Sequence, residues 1–260
     1  PTIALGWTLS VVRRGLTSME RIQDVIRANV EPAPGAASAP RDAAIRFANL
    51  TFAYDGRPPA LEDVSFEVAL GATVAVVGPT GSGKSTLGLL LARLWEPPPG
   101  TVFVGGSDVT ALDREVLRGR LGYVPQDGFL FSRSIADNVT LGRETVTMGR
   151  LREALVTAGV ADEIERFPDG LGTVVGERGL TLSGGQRQRV TLARALAGAP
   201  PILILDDVFA SVDVEKEEQI VANLRQAAAG RTVLLMTHRL RAARGADRIV
   251  VLAEGRVVEA

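Results

Sequence analysis

The nine residues Gly78-Pro79-Thr80-Gly81-Ser82-Gly83-Lys84-Ser85-Thr86 are the stretch of this chain best suited to chemistry. They fit the spacing G-x-x-x-x-G-K-[ST], in which each residue type has a physical task. Glycines at 78, 81 and 83 allow a tight turn, so that successive backbone N–H groups point at phosphate oxygens. Lys84 adds a full charge for the outer phosphates, and the Ser85 hydroxyl is a ligand for Mg²⁺. Gly78, Thr80, Gly81, Ser82, Gly83, Lys84, Ser85 and Thr86 are therefore the candidate nucleotide-binding residues. Asp206 directly follows the apolar run Ile202-Leu203-Ile204-Leu205. At the carboxyl end of a strand beside a phosphate loop, an acid holds Mg²⁺. Taken alone, the same aspartate reads as an ordinary strand-end turn residue.

Such a loop needs a strand that delivers it and a helix that starts at the phosphates. Thr73-Val74-Ala75-Val76-Val77 is a short apolar run suited to a buried strand, and Leu87–Leu94 reads as a helix. The start of that helix brings its positive dipole end to the same anion. Upstream, Ile45, Phe47, Leu50, Phe52 and Tyr54 suggest a strand paired with Val64–Val68. Downstream come strands at Thr101–Val104 and Leu121–Pro125, a helix near Asp113–Leu117, and a helix-rich stretch from Ser134 to Phe167. A glycine-rich stretch at Leu182–Gln186 opens a long helix to about Ala197. Strands at Ile202–Leu205, Thr232–Met236 and Ile249–Leu252 come next, with a helix over Val214–Ala228 and a short one after His238. Apolar strands alternating with helices imply an α/β fold, its parallel sheet covered on both faces, with a helical insert near the middle.

Composition narrows the function classes. With 29 Lys+Arg against 30 Asp+Glu, no basic field advertises nucleic-acid binding. Cysteine is absent and His238 is the single histidine, which removes disulfides, thiolate metal sites and multi-histidine metal sites. No secretory signal and no run of about 18 apolar residues is visible. Residues 1–30 are different in character. Leu16, Met19, Ile22, Val25 and Ile26 recur at helical spacing, after a mostly apolar stretch that meets Arg13-Arg14. This fits an ordinary amphipathic helix or the cytoplasmic end of a membrane helix with arginines at the interface. Residues 31–44 read as a Pro/Ala linker, and a chain opening on Pro1 reads as a fragment or processed product.

Leu182-Ser183-Gly184-Gly185-Gln186-Arg187-Gln188-Arg189 resembles the signature sequence of ATP-binding cassette (ABC) ATPases. The order of the other motifs is similar too: phosphate loop, Val124-Pro125-Gln126-Asp127, signature, Ile202–Asp206, Ser211-Val212-Asp213 and His238. Phe129–Ile135, Val175-Gly176-Glu177-Arg178-Gly179 and Arg14–Ile22 resemble the exporter branch, the last of these the end of its final membrane helix. The resemblance covers about Ile45 to Val258. It implies a phosphate-loop NTPase (RecA-like) core sheet over 45–260, an antiparallel β subdomain, and a helical signature subdomain at about 127–190. It further implies that Tyr54 stacks on adenine, that Lys84 holds the β/γ phosphates, and that Ser85, Asp206 and Gln126 serve the Mg²⁺. Ser183, Gly184, Gly185 and Gln186 would bind the γ-phosphate of ATP held by a second nucleotide-binding domain. Asp213 would communicate across that dimer, and His238 would contact the γ-phosphate.

One position departs from the family pattern. The family's catalytic base is a glutamate after the Mg²⁺ aspartate, and here Asp207 stands in its place. Its carboxylate is one methylene shorter and reaches the attacking water poorly, unless a small backbone shift compensates. The resemblance implies an ATP-hydrolysing domain that powers export from the cytoplasmic face of a membrane, attached to a transmembrane domain of the same chain. Asp207 adds the expectation of a degenerate site, with the signature serving a partner that carries the glutamate. Two other classes remain: an ATP-binding regulatory module with little turnover, and a soluble ABC ATPase that does not transport.

Overall fold

The computed structural model of the chain describes residues 2–27, 40–176, 182–209 and 214–260. Two compact units divide it, Pro1–Pro34 and Gly35–Ala260. In the first, helix α1 spans Thr2–Arg27, and its Ile3, Trp7, Leu9 and Leu16 side chains are exposed. No helix among the described residues is long and apolar enough to cross a membrane. Most of the expected linker, residues 31–39, lies outside the described residues.

In the second unit the strands are β1 (Ile45–Ala53), β2 (Pro59–Val68), β3 (Thr73–Val77), β4 (Val102–Val104), β5 (Ser107–Asp108), β6 (Leu121–Val124), β7 (Ile202–Asp206), β8 (Thr232–Thr237), β9 (Arg248–Ala253) and β10 (Arg256–Glu259). Helix α2 (Lys84–Leu91) comes after β3, and α3 (Arg114–Gly119) precedes β6. Then come α4 (Ile135–Thr140), α5 (Met148–Thr157), α6 (Ala161–Glu165), α7 (Gly184–Ala197), α8 (Val214–Ala227) and α9 (Leu240–Ala243). A small antiparallel sheet has the order β2-β1-β4-β5, and a larger one the order β10-β9-β3-β8-β7-β6. In the larger sheet β9, β3, β8, β7 and β6 are parallel, and β10 closes one edge antiparallel to β9.

The apolar residues of the parallel strands serve two cores because side chains alternate across a strand. Val74, Val76, Ile202, Ile204, Leu234, Met236, Val250 and Leu252 join α2 and the small antiparallel sheet in one cluster. Ala75, Val77, Leu203, Leu205, Val233 and Leu235 face the opposite cluster, built with α4 to α8. Each large side chain fully buried there is worth about 1.5–3 kcal/mol, so neither face tolerates a one-residue slip. In β1 the buried positions change parity between Phe47 and Leu50. A bulge at Asn49, with φ 46°, absorbs the extra residue; Asn49 N donates to Ser65 Oγ (2.8 Å) and its Nδ2 to Asp63 Oδ1 (2.9 Å). This keeps Leu50 and Phe52 on the same core as Ile45 and Phe47.

The helical part is set by caps and one buried amide. Ser134, Thr147 and Ser183 accept from backbone N–H groups at the starts of α4, α5 and α7. Asn138, fully buried, accepts from Phe131 N and donates to the Phe131 and Ser134 carbonyls. Arg194 on α7 donates to the Asn138 and Phe129 carbonyls, which ties the segment after β6 to the long helix. Burial, and secondarily the nearby Arg143 charge, lowers the Arg194 pKa to about 10.

Candidate functional site

Four neighbouring parallel strands, β3, β8, β7 and β6, end on the same edge of the large sheet. Each strand delivers a chemical group to that edge: Gly78 after β3, His238 after β8, Asp206 at the end of β7, and Pro125-Gln126 after β6. A cavity of about 420 Å³ opens there, lined by Tyr54, Thr80, Gly81, Gly83, Lys84, Ser85, Thr86, Gln126, Asp206, Asp207 and His238. Tyr54, just beyond β1, comes from the other sheet. Arg57, Pro58 and Ala60 complete the wall and carry no motif in the sequence. The one local signal was the turn at Asp55-Gly56, closed by Arg57 N donating to the Tyr54 carbonyl at 2.9 Å.

The loop between β3 and α2 needs its glycines for different reasons. Gly83 is the N-cap of α2, with φ 99° and no side-chain cap, and a Cβ there would lie 2.6 Å from the Ala60 carbonyl oxygen. Gly78 has no left-handed backbone; a Cβ there would collide with the Leu252 carbonyl oxygen. So a close chain crossing, not a turn, excludes a side chain at 78. Lys84 Nζ donates to the Gly78 and Pro79 carbonyls at 2.8 Å each, folded back over the loop. Burial lowers its pKa, while the Asp207 and Asp206 charges act against that. No side chain caps the first N–H groups of α2, and Gly83 to Thr86 line the cavity, an arrangement suited to an anion.

The acids sit against this positive end. Asp206 is 3% exposed, and burial raises its carboxyl; the Ser85 hydroxyl hydrogen bond and the Lys84 charge pull it down, and Asp207 pushes it up. Asp207 has a left-handed backbone, φ 47°, held by its N–H donating to the Met236 carbonyl at 2.8 Å. Its Oδ2 accepts from His238 Nδ1 at 2.9 Å, and its Oδ1 is buried with no hydrogen-bond partner. Among the described residues no group of three or more His, Asp or Glu side chains forms a metal cluster. Any divalent ion here would depend on phosphate and water oxygens as well as the protein.

The signature residues lie elsewhere. Ser183, Gly184, Gly185 and Gln186 start α7 and line no part of the cavity that holds Lys84. Ser183 Oγ accepts from Gln186 N, and Gln186 Oε1 accepts from Ser183 N, a closed capping box. Gln186 Nε2 and the Arg189 guanidinium both donate to Glu163 on α6, at 2.9 and 2.7 Å, which fixes the direction of the helix start. Glu177, Arg178, Gly179, Ser211, Val212 and Asp213 lie outside the described residues.

Residues 61–210, more than half of the chain, match the family model described as ABC transporter. The chain belongs to the ABC transporter family. An ATM1-type heavy metal exporter of Novosphingobium aromaticivorans is 39% identical over 262 residues, across 100% of this chain and 43% of the relative. An ATP-dependent lipid A-core flippase of Ralstonia nicotianae is 42% identical over 255 residues, across 96% of this chain and 43% of its own length. Among solved structures, a bacterial Atm1-family ABC exporter with ATP bound matches with a TM-score of 0.85 at 39% identity, covering 98% of this chain and 45% of that one. The chain spans less than half the length of these relatives. Its fold is that of an ABC ATPase, an ATP-binding domain of the exporter type, and its relatives are ABC exporters.

Proposed function

We propose that this domain powers export across a membrane while hydrolysing ATP only weakly at its own site. Tyr54 stacks on the base, the phosphate loop from Gly78 to Thr86 wraps the phosphates, and Lys84 pairs with the outer two. Ser85 and Asp206 suit Mg²⁺: a hydroxyl and a buried carboxylate already hydrogen-bonded to each other, with Gln126 on the same wall. When bound, the ion neutralises charge on the β- and γ-phosphate oxygens. Ser183 to Gln186 complete the site of a second nucleotide-binding domain, a different chain that carries a catalytic glutamate. A transmembrane domain of the same chain places the assembly at the cytoplasmic face of a membrane. No nucleic acid takes part.

The observation that carries the weak-site reading is the Asp207 carboxylate. One oxygen is engaged by His238 and the other is buried. A general base must lie within hydrogen-bond reach of the water it activates, and misplacement by about 1 Å costs roughly 10²-fold. The deciding experiment compares ATPase rates of the chain and its Asp207→Glu variant, alone and with a candidate partner domain. A low rate that rises roughly 10- to 100-fold with glutamate, or with a glutamate-bearing partner, is expected. A high rate that Asp207→Glu leaves unchanged and Asp207→Asn abolishes makes the aspartate a working base and returns the assembly to a homodimer. The short acid also suits an ATP-binding regulatory module, which would retain ATP tightly and respond to no partner.

A further inference from the structure

Tyr54 is held on three sides before any nucleotide arrives. Its ring meets Phe52 edge-to-face, with centroids 5.0 Å apart at 85°, and Trp95 likewise at 4.9 Å and 90°. Its hydroxyl is 3.1 Å from Thr86 Oγ1, and Thr86 is buried in the first turn of α2. Trp95 comes from the chain just past the other end of the same helix. There Arg93, at φ 48°, ends α2, and its buried guanidinium donates to the Val109 and Leu112 carbonyls and to Glu96. Trp95 itself does not line the nucleotide cavity.

We propose that Trp95 and Thr86 are positioning residues that hold Tyr54 as a preassembled base platform, and that Thr86 couples this platform to the phosphate loop. The proposal rests on the reading that Tyr54 stacks on the base. A free surface tyrosine must lose rotamer freedom when a base docks on it, whereas a ring braced by two edge contacts and a hydroxyl has already lost it. The Phe52 and Trp95 ring centroids are 6.5 Å apart, too close for the two rings to lie on opposite faces of Tyr54, so one face of its ring is left for the incoming base. The hydroxyl link has a direction once anions bind. A threonine hydroxyl has one donor and two acceptor sites, so Thr86 accepts from Tyr54 while its own hydrogen turns to a phosphate oxygen. Phosphate binding thereby fixes the ring, and base binding fixes the hydroxyl.

The test measures affinity of the chain for ATP and for inorganic tripolyphosphate, which has the charge but no base, with melting temperature as a folding control. Trp95→Leu is expected to weaken ATP binding roughly three- to tenfold and to leave tripolyphosphate unchanged. Trp95→Tyr, which restores an aromatic edge, should recover most of the loss. In a Tyr54→Ala background, Trp95→Leu should do nothing further, because Trp95 acts through Tyr54. Tyr54→Phe keeps the ring, loses the link, and should cost ATP affinity about threefold. Unchanged ATP affinity in Trp95→Leu, an equal loss for tripolyphosphate, or the same loss on top of Tyr54→Ala overturns the proposal. If Tyr54→Ala leaves ATP affinity intact, the base-stacking reading itself fails, and the proposal with it.

Discussion

Two helix starts in this domain carry the proposed anion sites, and they are prepared in opposite ways. Helix α2 begins at Gly83 with no side chain across its first N–H groups, inside a cavity, with Lys84 folded over the loop and two acids behind it. Helix α7 begins at Ser183, where a capping box closes the Gln186 and Ser183 N–H groups and Glu163 braces Gln186, on the surface. An open start surrounded by its own chain binds an anion unaided. A closed, exposed start is stable without one, and has only the Ser183 hydroxyl hydrogen and the backbone of two glycines to offer a phosphate brought by another molecule. On the proposed reading the first is a binding site by itself and the second is half of one.

The largest expected effect breaks the first half of this comparison. Gly83→Ala forces a side chain into φ 99° and against the Ala60 carbonyl. It should cost about 2 kcal/mol or more of stability and abolish ATP binding by calorimetry, a loss of roughly 100-fold or greater. Ser183→Ala probes the second half. Removing the cap should cost about 1 kcal/mol in a denaturant titration and leave ATP affinity of the isolated chain unchanged. If the same variant bound ATP less well in the absence of a partner, the two starts would not be separate. With a glutamate-bearing partner present, it should suppress ATP-dependent association seen by sedimentation.

The smallest effect concerns the acids behind α2. Burial raises the Asp206 carboxyl above its unfolded value of 3.8, so the folded chain holds that proton more tightly than the unfolded chain. The stability this gives is present below the unfolded value and is lost as pH rises through the raised folded value. At neutral pH the ligand-free chain therefore carries the penalty, and Asp206→Asn should raise its melting temperature by about 2 °C. That gain should vanish at the acid end of a pH series, where Asp206 is protonated in both states. The same variant should lose the extra stabilisation that Mg²⁺ adds to ATP.

Much of the site was legible because its parts are local. A strand, a glycine-spaced loop and a helix are contiguous from Thr73 to Leu91, so spacing alone exposes them. The capping pattern of Ser183 and Gln186 is equally short-range. The contact between Asp207 and His238 was not legible, since it depends on β7 and β8 lying side by side. Nor were the left-handed backbone at Asp207, the wall formed by Arg57, Pro58 and Ala60, or the bracing of Tyr54 by Trp95 and Thr86. The apolar positions of β1 were readable from Ile45 to Phe52, but the change of spacing between Phe47 and Leu50 is explained only by the bulge at Asn49.

From its sequence alone came most of the strands and helices, though neither β5 nor β10, together with the loop expected to take phosphate and the position that departs from the pattern the resemblance implies. Period-two and helical patterns, glycine spacing and residue type all act over a few residues, and the code for them is local. Tertiary structure alone decided the strand order β3-β8-β7-β6, and with it the gathering of Lys84, His238, Asp206 and Gln126 at one edge. Parallel strands share hydrogen bonds with partners far away in the chain, and which neighbour each one takes is settled by packing both sheet faces at once.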